Sequence, residues 1–245
     1  MTWSIIARDR ESGAFGVAVA SKFFAVGAIC PHGDGGVGAL STQALPNPLW
    51  GTRGLRLLRE GMAAEHVVAH LVAPDPGADQ RQFHVHDRGG RIAAHTGKQC
   101  IDWAGHLVRD GVSVAGNMLA GPSVIEATAD AYEASRERSF ARRLIAAMKA
   151  GEAEGGDKRG RQSAAILIHD AEEYPLVDIR VDDHQDPLAE LGRLLDVWKG
   201  RPQFYRRALP SRARPSGIVG REAIERFIAE QLEAESRTGP GAGVA

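Results

Sequence analysis

The stretch Thr2-Trp3-Ser4-Ile5-Ile6-Ala7-Arg8-Asp9 places a hydroxyl residue directly behind Met1 and runs at once into a strand-like pattern. Chain ends fray unless something ties them into a sheet, so a strand that begins at residue 2 is already a constraint on the fold. Thr is small enough for the preceding Met to be trimmed. Residue 2 would then carry a nucleophilic hydroxyl and, in its own α-amine, the general base that activates it. Ser4 and Ser21 are the fallback nucleophiles, with no base identified for either.

Four further segments hold polar groups that core packing does not require. Lys22, at the end of the second strand-like run, is placed across a hairpin from the first; its ammonium either favours an alkoxide-like state at Thr2 or is a solvated strand end. Gly38-Ala39-Leu40-Ser41-Thr42-Gln43-Ala44 leads into a Pro-Asn-Pro helix start. Its small residues leave backbone N–H groups open to an oxyanion near Gln43 and Ala44, with Ser41 and Thr42 as substrate contacts. The alternative is an ordinary turn whose hydroxyls satisfy the backbone. Asn117, inside Gly116-Asn117-Met118, is either a second oxyanion donor or a residue that tolerates a left-handed turn. In Gly155 to Ala165, Arg161 is a bidentate carboxylate ligand with Gln162 and Ser163 as polar contacts, or the loop is solvated charge. Asp182-Asp183-His184 forms either a dyad or a helix-start turn. His84 and His86 share one strand face without further ligands at metal spacing, so a solvated face and no metal are expected.

The elements that must position these groups follow from periodicity. Alternating or apolar runs predict strands at 3–8, 14–20, 26–30, 36–43, 81–87, 91–95, 111–119, 163–169 and 176–181. Glu11-Ser12-Gly13 supplies the first hairpin turn. Helices are expected from Pro48 to about Gly61, at 63–73, 122–134 and 138–150, and from Pro187 to Trp198. Strands come in hairpin-like groups and helices in pairs, which is α+β grammar: two mostly antiparallel sheets face to face with helix pairs outside. Residues 1–199 form this domain. Residues 200–245 read as an Arg/Pro-rich linker, an amphipathic helix at 218–235 and a disordered tail.

The 245 residues carry a formal net charge of −1, with 43% hydrophobic and 25% charged residues. That balance argues against a dominant nucleic-acid or membrane-surface role. Cys30 and Cys100 make neither a disulfide framework nor a metal motif. With no apolar stretch near the roughly 20 residues of a membrane helix and no secretory pattern, a cytoplasmic protein without cofactor is expected, a homodimer through the tail helix.

Taken together, residues 2–9, 16–27, 116–122, 155–165 and 181–184 resemble the bacterial domain-of-unknown-function family 1028, grouped with the N-terminal-nucleophile (Ntn) hydrolases. The resemblance covers about residues 2–198. It implies a four-layer αββα sandwich and a mature N-terminal nucleophile at Thr2. It also implies a polar pocket group at Lys22, oxyanion donors between Ser41 and Ala44, and a second donor at Asn117. The activity expected from it is cleavage of an amide bond in a small or peptide-like metabolite. The alternative is a metabolite-binding protein on the same fold.

Overall fold

A computed structural model describes residues 2–238. Its first hairpin pairs β1 (Thr2–Arg8) with β2 (Phe15–Ser21), turning where Gly13 adopts a φ of 74°. β3 (Pro31–Asp34) and β4 (Gly38–Ala44) follow, then α1 (Pro48–Arg59), α2 (Ala64–Val72), β5 (Arg81–Asp87), β6 (Ile92–Thr96), β7 (Gly105–Arg109) and β8 (Val112–Asn117). The chain continues through α3 (Ser123–Ala134), α4 (Phe140–Ala153), β9 (Ser163–His169), β10 (Val177–Val181), α5 (Pro187–Trp198), α6 (Arg201–Ala208) and α7 (Arg221–Thr238).

These strands form two antiparallel sheets, one ordered β10-β9-β2-β1-β8-β7 and the other β3-β4-β5-β6. Helices α3, α4 and α5 pack on the six-stranded sheet, α1 and α2 on the four-stranded one, and the remaining faces of the sheets meet each other. Local chemistry starts the helices as anticipated. The Asn47 side chain accepts from Leu49 N at 3.1 Å with Pro48 behind it, and Asp186 accepts from Ala189 N with Pro187 in the same role.

Strand alternation sorts the core into layers. Trp3, Ile5 and Ala7 of β1 bury against Leu144 and Met148 of α4, each large apolar side chain contributing roughly 1.5–3 kcal/mol. Gly16 of β2 lets α4 come close: a Cβ there would lie 2.6 Å from Leu144 and 2.8 Å from Phe140. Leu40, Phe83 and Val85 form the matching core under α1 and α2. Thr2, Ser4 and Ile6 point the other way, into the space between the sheets.

Several expectations are corrected. Residues 26–30 are not a strand; Val26–Ala28 makes a 3-10 turn. The strand is instead β3, where Pro31 is tolerated because this is a sheet edge. The expected strand at 111–119 is the second half of a hairpin with β7, turned at Asp110-Gly111, with Gly111 at φ 77°. The expected linker contains α6, started by Pro202 and anchored by Phe204 and Ala208 one turn apart, both 1% exposed. α7 then docks on α6, burying Ile228. Three of the linker arginines are paired: Arg206 with Asp170 at 2.8 Å, Arg201 with Glu225 at 2.6 Å and Arg212 with Glu173 at 3.5 Å. The expected tail beyond 238 lies outside the described residues. No helix among them is long and apolar enough to cross a membrane.

Candidate functional site

Between the sheets, beside Thr2, the alternation brings polar side chains to one buried layer. Ser4 from β1, Ser41 and Gln43 from β4, Gln82 and His84 from β5, and Ser113 from β8 are all 0% exposed, and Asn117 is 1% exposed. Burial of so many polar groups is tolerated only if they satisfy one another, and the distances say that they do. Gln43 Nε2 donates to Gln82 Oε1 at 2.7 Å, to the Ala115 carbonyl at 3.0 Å and to the Thr2 carbonyl at 3.3 Å. Asn117 Nδ2 donates to the same Thr2 carbonyl at 3.2 Å and to Gln82 Oε1 at 3.1 Å.

The proton order of this network follows from its chemistry. With its amide nitrogen facing two carbonyls, Gln43 presents Oε1 to Ser4, whose hydroxyl donates to it at 2.6 Å. That uses the only Ser4 proton, so His84 Nε2, 2.9 Å from Ser4 Oγ, is the protonated nitrogen. Nδ1 must then accept from Ser113 Oγ at 3.0 Å. Donors therefore run in one direction, from Ser113 through His84, Ser4 and Gln43 to the Thr2 carbonyl. Burial, with His106 adding repulsion, pushes the His84 imidazole down to about 3 and keeps it neutral.

Thr2 itself is 6% exposed. Trp3 pairs with Ala20 across the hairpin, which sets Thr2 opposite Ser21, and the Thr2 Oγ1 to Ser21 Oγ distance is 3.1 Å. Ser21 also lines a cavity of about 150 Å³ together with Trp3, Glu152, Asp157, Arg161 and Ser163. Arg161 Nε lies 3.3 Å from Glu152 Oε1, and burial raises the Glu152 carboxyl despite that neighbour. The Asp157 carboxylate accepts from the Lys22 backbone N–H at 2.7 Å and from that of Arg159 at 2.9 Å. Away from the residues that line this cavity, Ala25, Ala44 and Met118 hold φ values of 53°, 70° and 52°, Ala25 before the 3-10 turn, Ala44 at the end of β4 and Met118 just after β8. Left-handed backbone at non-glycine residues is strained.

The residues singled out in the sequence fall into two groups. Gln43 and Asn117 reach Thr2, but their amide donors are engaged by its carbonyl. Lys22 does not face the Thr2 hydroxyl: its ammonium donates to the Arg161 carbonyl at 3.1 Å, and Ser21 takes the place foreseen for it because β2 ends there. Ser41 Oγ turns inward toward Gln43 Oε1 at 3.5 Å, while Thr42 Oγ1 accepts from the Asn47 backbone at 3.2 Å. Arg161 and Ser163 line the small cavity; Ser163 Oγ also donates to the Phe23 carbonyl at 2.5 Å. Gln162 donates to Asp183 Oδ1 at 3.2 Å beside a wider cleft that His184 also lines. The expected solvated face of His84 and His86 is overturned: both are fully buried, because β5 is an inner strand pressed against the other sheet. Gln82, Ser113, Glu152 and Asp157 were not anticipated. A signal did exist for the network: polar residues at i, i+2 spacing in otherwise apolar strands, as in Thr2/Ser4, Ser41/Gln43 and Gln82/His84. Among the described residues no group of three or more His, Cys, Asp and Glu side chains is placed to hold a metal.

No curated protein matches the chain. The crystal structure of protein SPO2555 from Silicibacter pomeroyi superposes with a TM-score of 0.83 at 34% identity, covering 89% of this chain and 96% of that one. Anbu (ancestral beta-subunit) from Yersinia bercovieri aligns over 80% of this chain and 96% of its own at 10% identity. Its TM-score of 0.40 is too low to bear on fold or function. The family of unknown function DUF1028 matches residues 2–191, and the Silicibacter protein carries the same family designation. By both measures the chain belongs to the DUF1028 family.

Proposed function

We propose that this chain is an amide hydrolase of the N-terminal-nucleophile type, with Thr2 as nucleophile once the Met1–Thr2 bond is cut. The freed α-amine takes the proton of Thr2 Oγ1 as that oxygen bonds to the substrate's carbonyl carbon. The resulting ammonium passes the proton to the departing amine as the C–N bond breaks. Water, deprotonated by the same amine, then releases the acyl group from Thr2. Gln43 and Asn117 act as positioning residues in this scheme, since two carboxamides on the Thr2 carbonyl leave residue 2 little freedom to turn. Arg161, Glu152 and Ser163, lining the adjoining cavity, are assigned to a small polar substrate; Lys22 lines the neighbouring wider cleft and holds the Arg161 carbonyl. The two facing sheets between helix layers suit the Ntn-type sandwich.

The observation that carries the reading is the double hold on the Thr2 carbonyl, one residue pair away from a cavity with an Arg–Glu pair. A reading as a binding protein without cleavage is favoured by one observation, the engagement of the Thr2 hydroxyl by Ser21. Intact-mass analysis combined with a hydroxyl-reactive β-lactone separates the two. The hydrolase reading expects loss of Met1 and one adduct on Thr2, absent in Thr2→Ala. Native protein that retains Met1 and takes no adduct at residue 2 would leave only the binding role.

A further inference from the structure

We propose that the cleft at the Arg8 end of β1, remote from Thr2, is a binding site for a phosphate group. The cleft encloses about 840 Å³ between the β1–β2 turn, the connection from α3 to α4, the first turn of α4 and Lys199, a size suited to a small metabolite.

Its charges are unbalanced in a specific way. Asp110 is paired with Arg10 at 2.5 Å, Glu133 with Arg109 at 2.7 Å, Asp9 with Arg143 at 3.4 Å and Glu137 with Arg138 at 3.4 Å, while Glu11 is exposed on the turn. Arg136 and Lys199 have no carboxylate at ion-pair distance among the described residues. The Lys199 ammonium reaches only Ser139 Oγ, at 3.4 Å. Burial and the neighbouring Arg142 both lower its pKa, so the cations oppose one another.

The start of α4 sharpens the imbalance. Its first turn contains no acid and carries Arg142, paired with Asp196, and Arg143, paired with Asp9, although a helix N-terminus favours negative charge. Ser139 makes no side-chain cap, and the backbone N–H groups of Phe140, Ala141 and Arg142 have no acceptor among the described residues. Arg143 Nε is buried without an acceptor. Free amides at a helix start and, around one cavity, three cations without a carboxylate partner among the described residues, Arg8, Arg136 and Lys199, are what a tetrahedral dianion requires. A carboxylate would satisfy fewer of these donors.

The test is calorimetric titration of the full chain with inorganic phosphate, glycerol phosphate and chloride at matched low ionic strength. Saturable binding of phosphate or of the phosphomonoester, absent with chloride, is expected. Tighter binding of glycerol phosphate would point to a phosphorylated metabolite, and equal binding to free phosphate. Arg136→Gln with Lys199→Gln should weaken binding at least about tenfold, while Arg207→Gln leaves it unchanged. Arg136 is exposed and makes no ion pair, so the single Arg136→Gln variant serves if the double one does not fold. Equal heats from all three anions, or wild-type affinity in the Arg136 and Lys199 variants, would overturn the proposal. None of these outcomes depends on the chemistry proposed for Thr2.

Discussion

Thr2 Oγ1 and Ser21 Oγ stand 3.1 Å apart on neighbouring strands, so the hydroxyl assigned as nucleophile is oriented by a second hydroxyl. Replacing Ser21 by Ala removes that partner while leaving the strand pairing intact. A neutral hydrogen bond contributes about 0.5–1.5 kcal/mol, which corresponds to a fall of up to about tenfold in rate. The second-order rate of β-lactone labelling at Thr2 measures it. An unchanged rate would mean that Ser21 does not orient the hydroxyl.

The inter-sheet layer makes the protein acid-labile. Burial pushes His84 down to about 3, and burial together with Arg8 pushes His86 down to about 4, against an ordinary value of 6.5. Below that value the unfolded chain binds protons that the folded one refuses. Stability is therefore complete above about pH 6.5 and falls as pH drops, by up to ~1.4 kcal/mol per pH unit for each imidazole. Urea midpoints recorded from pH 7 to pH 4.5 should decline, and His86→Phe should flatten the slope. A flat profile in the wild type would contradict the burial of both rings.

Ser4 is the joint of the proton-ordered chain, accepting from His84 and donating to Gln43. Ser4→Ala leaves the buried His84 N–H without a partner, worth about 1–3 kcal/mol, and the buried Gln43 carbonyl with only the long 3.5 Å contact from Ser41. A loss of at least about 2 kcal/mol by urea unfolding is expected. The freed Gln43 should also hold Thr2 less firmly, lowering its labelling rate in protein that remains folded.

Ala44 closes β4 at a φ of 70°, a conformation that a Cβ disfavours by about 1–2 kcal/mol. Ala44→Gly should therefore be neutral or stabilising, whereas Ala18→Gly, inside extended β2 and fully buried, should destabilise. Thermal unfolding of the pair checks it. Equal losses at both sites would show that Ala44 is not strained.

Both cysteines are buried, and burial pushes the Cys30 thiol up to about 12 and that of Cys100 in the same direction. Neither thiolate is populated at neutral pH, so an aromatic disulfide reagent should not react with native Cys30 until the protein is unfolded. Fast reaction in the native state would show that the residue is accessible after all, and would require labelling of Thr2 to be separated from labelling of sulfur.

Much of the element inventory was legible in the chain because hydrophobic period and capping chemistry are local. Strands at 81–87 and 163–169, Asn47-Pro48 and Asp186-Pro187 as helix starts, and α+β grammar all follow from neighbours within a few residues. Local signals also misled where context decides: Pro31 is compatible with a strand only at a sheet edge, and α6 holds because Phe204 and Ala208 find a surface to bury against. The placement of Thr2 in a first strand was equally a property of sequence. What lay beyond it was the partnership of faces. Alternation assigns Ser4, Gln43, His84 and Ser113 each to one side of a strand, but it does not say whether that side meets water or another sheet. Only the packing of the two sheets turned those scattered polar residues into a dry, directed network ending on the Thr2 carbonyl, because hydrogen bonding between distant strands depends on tertiary register rather than sequence spacing.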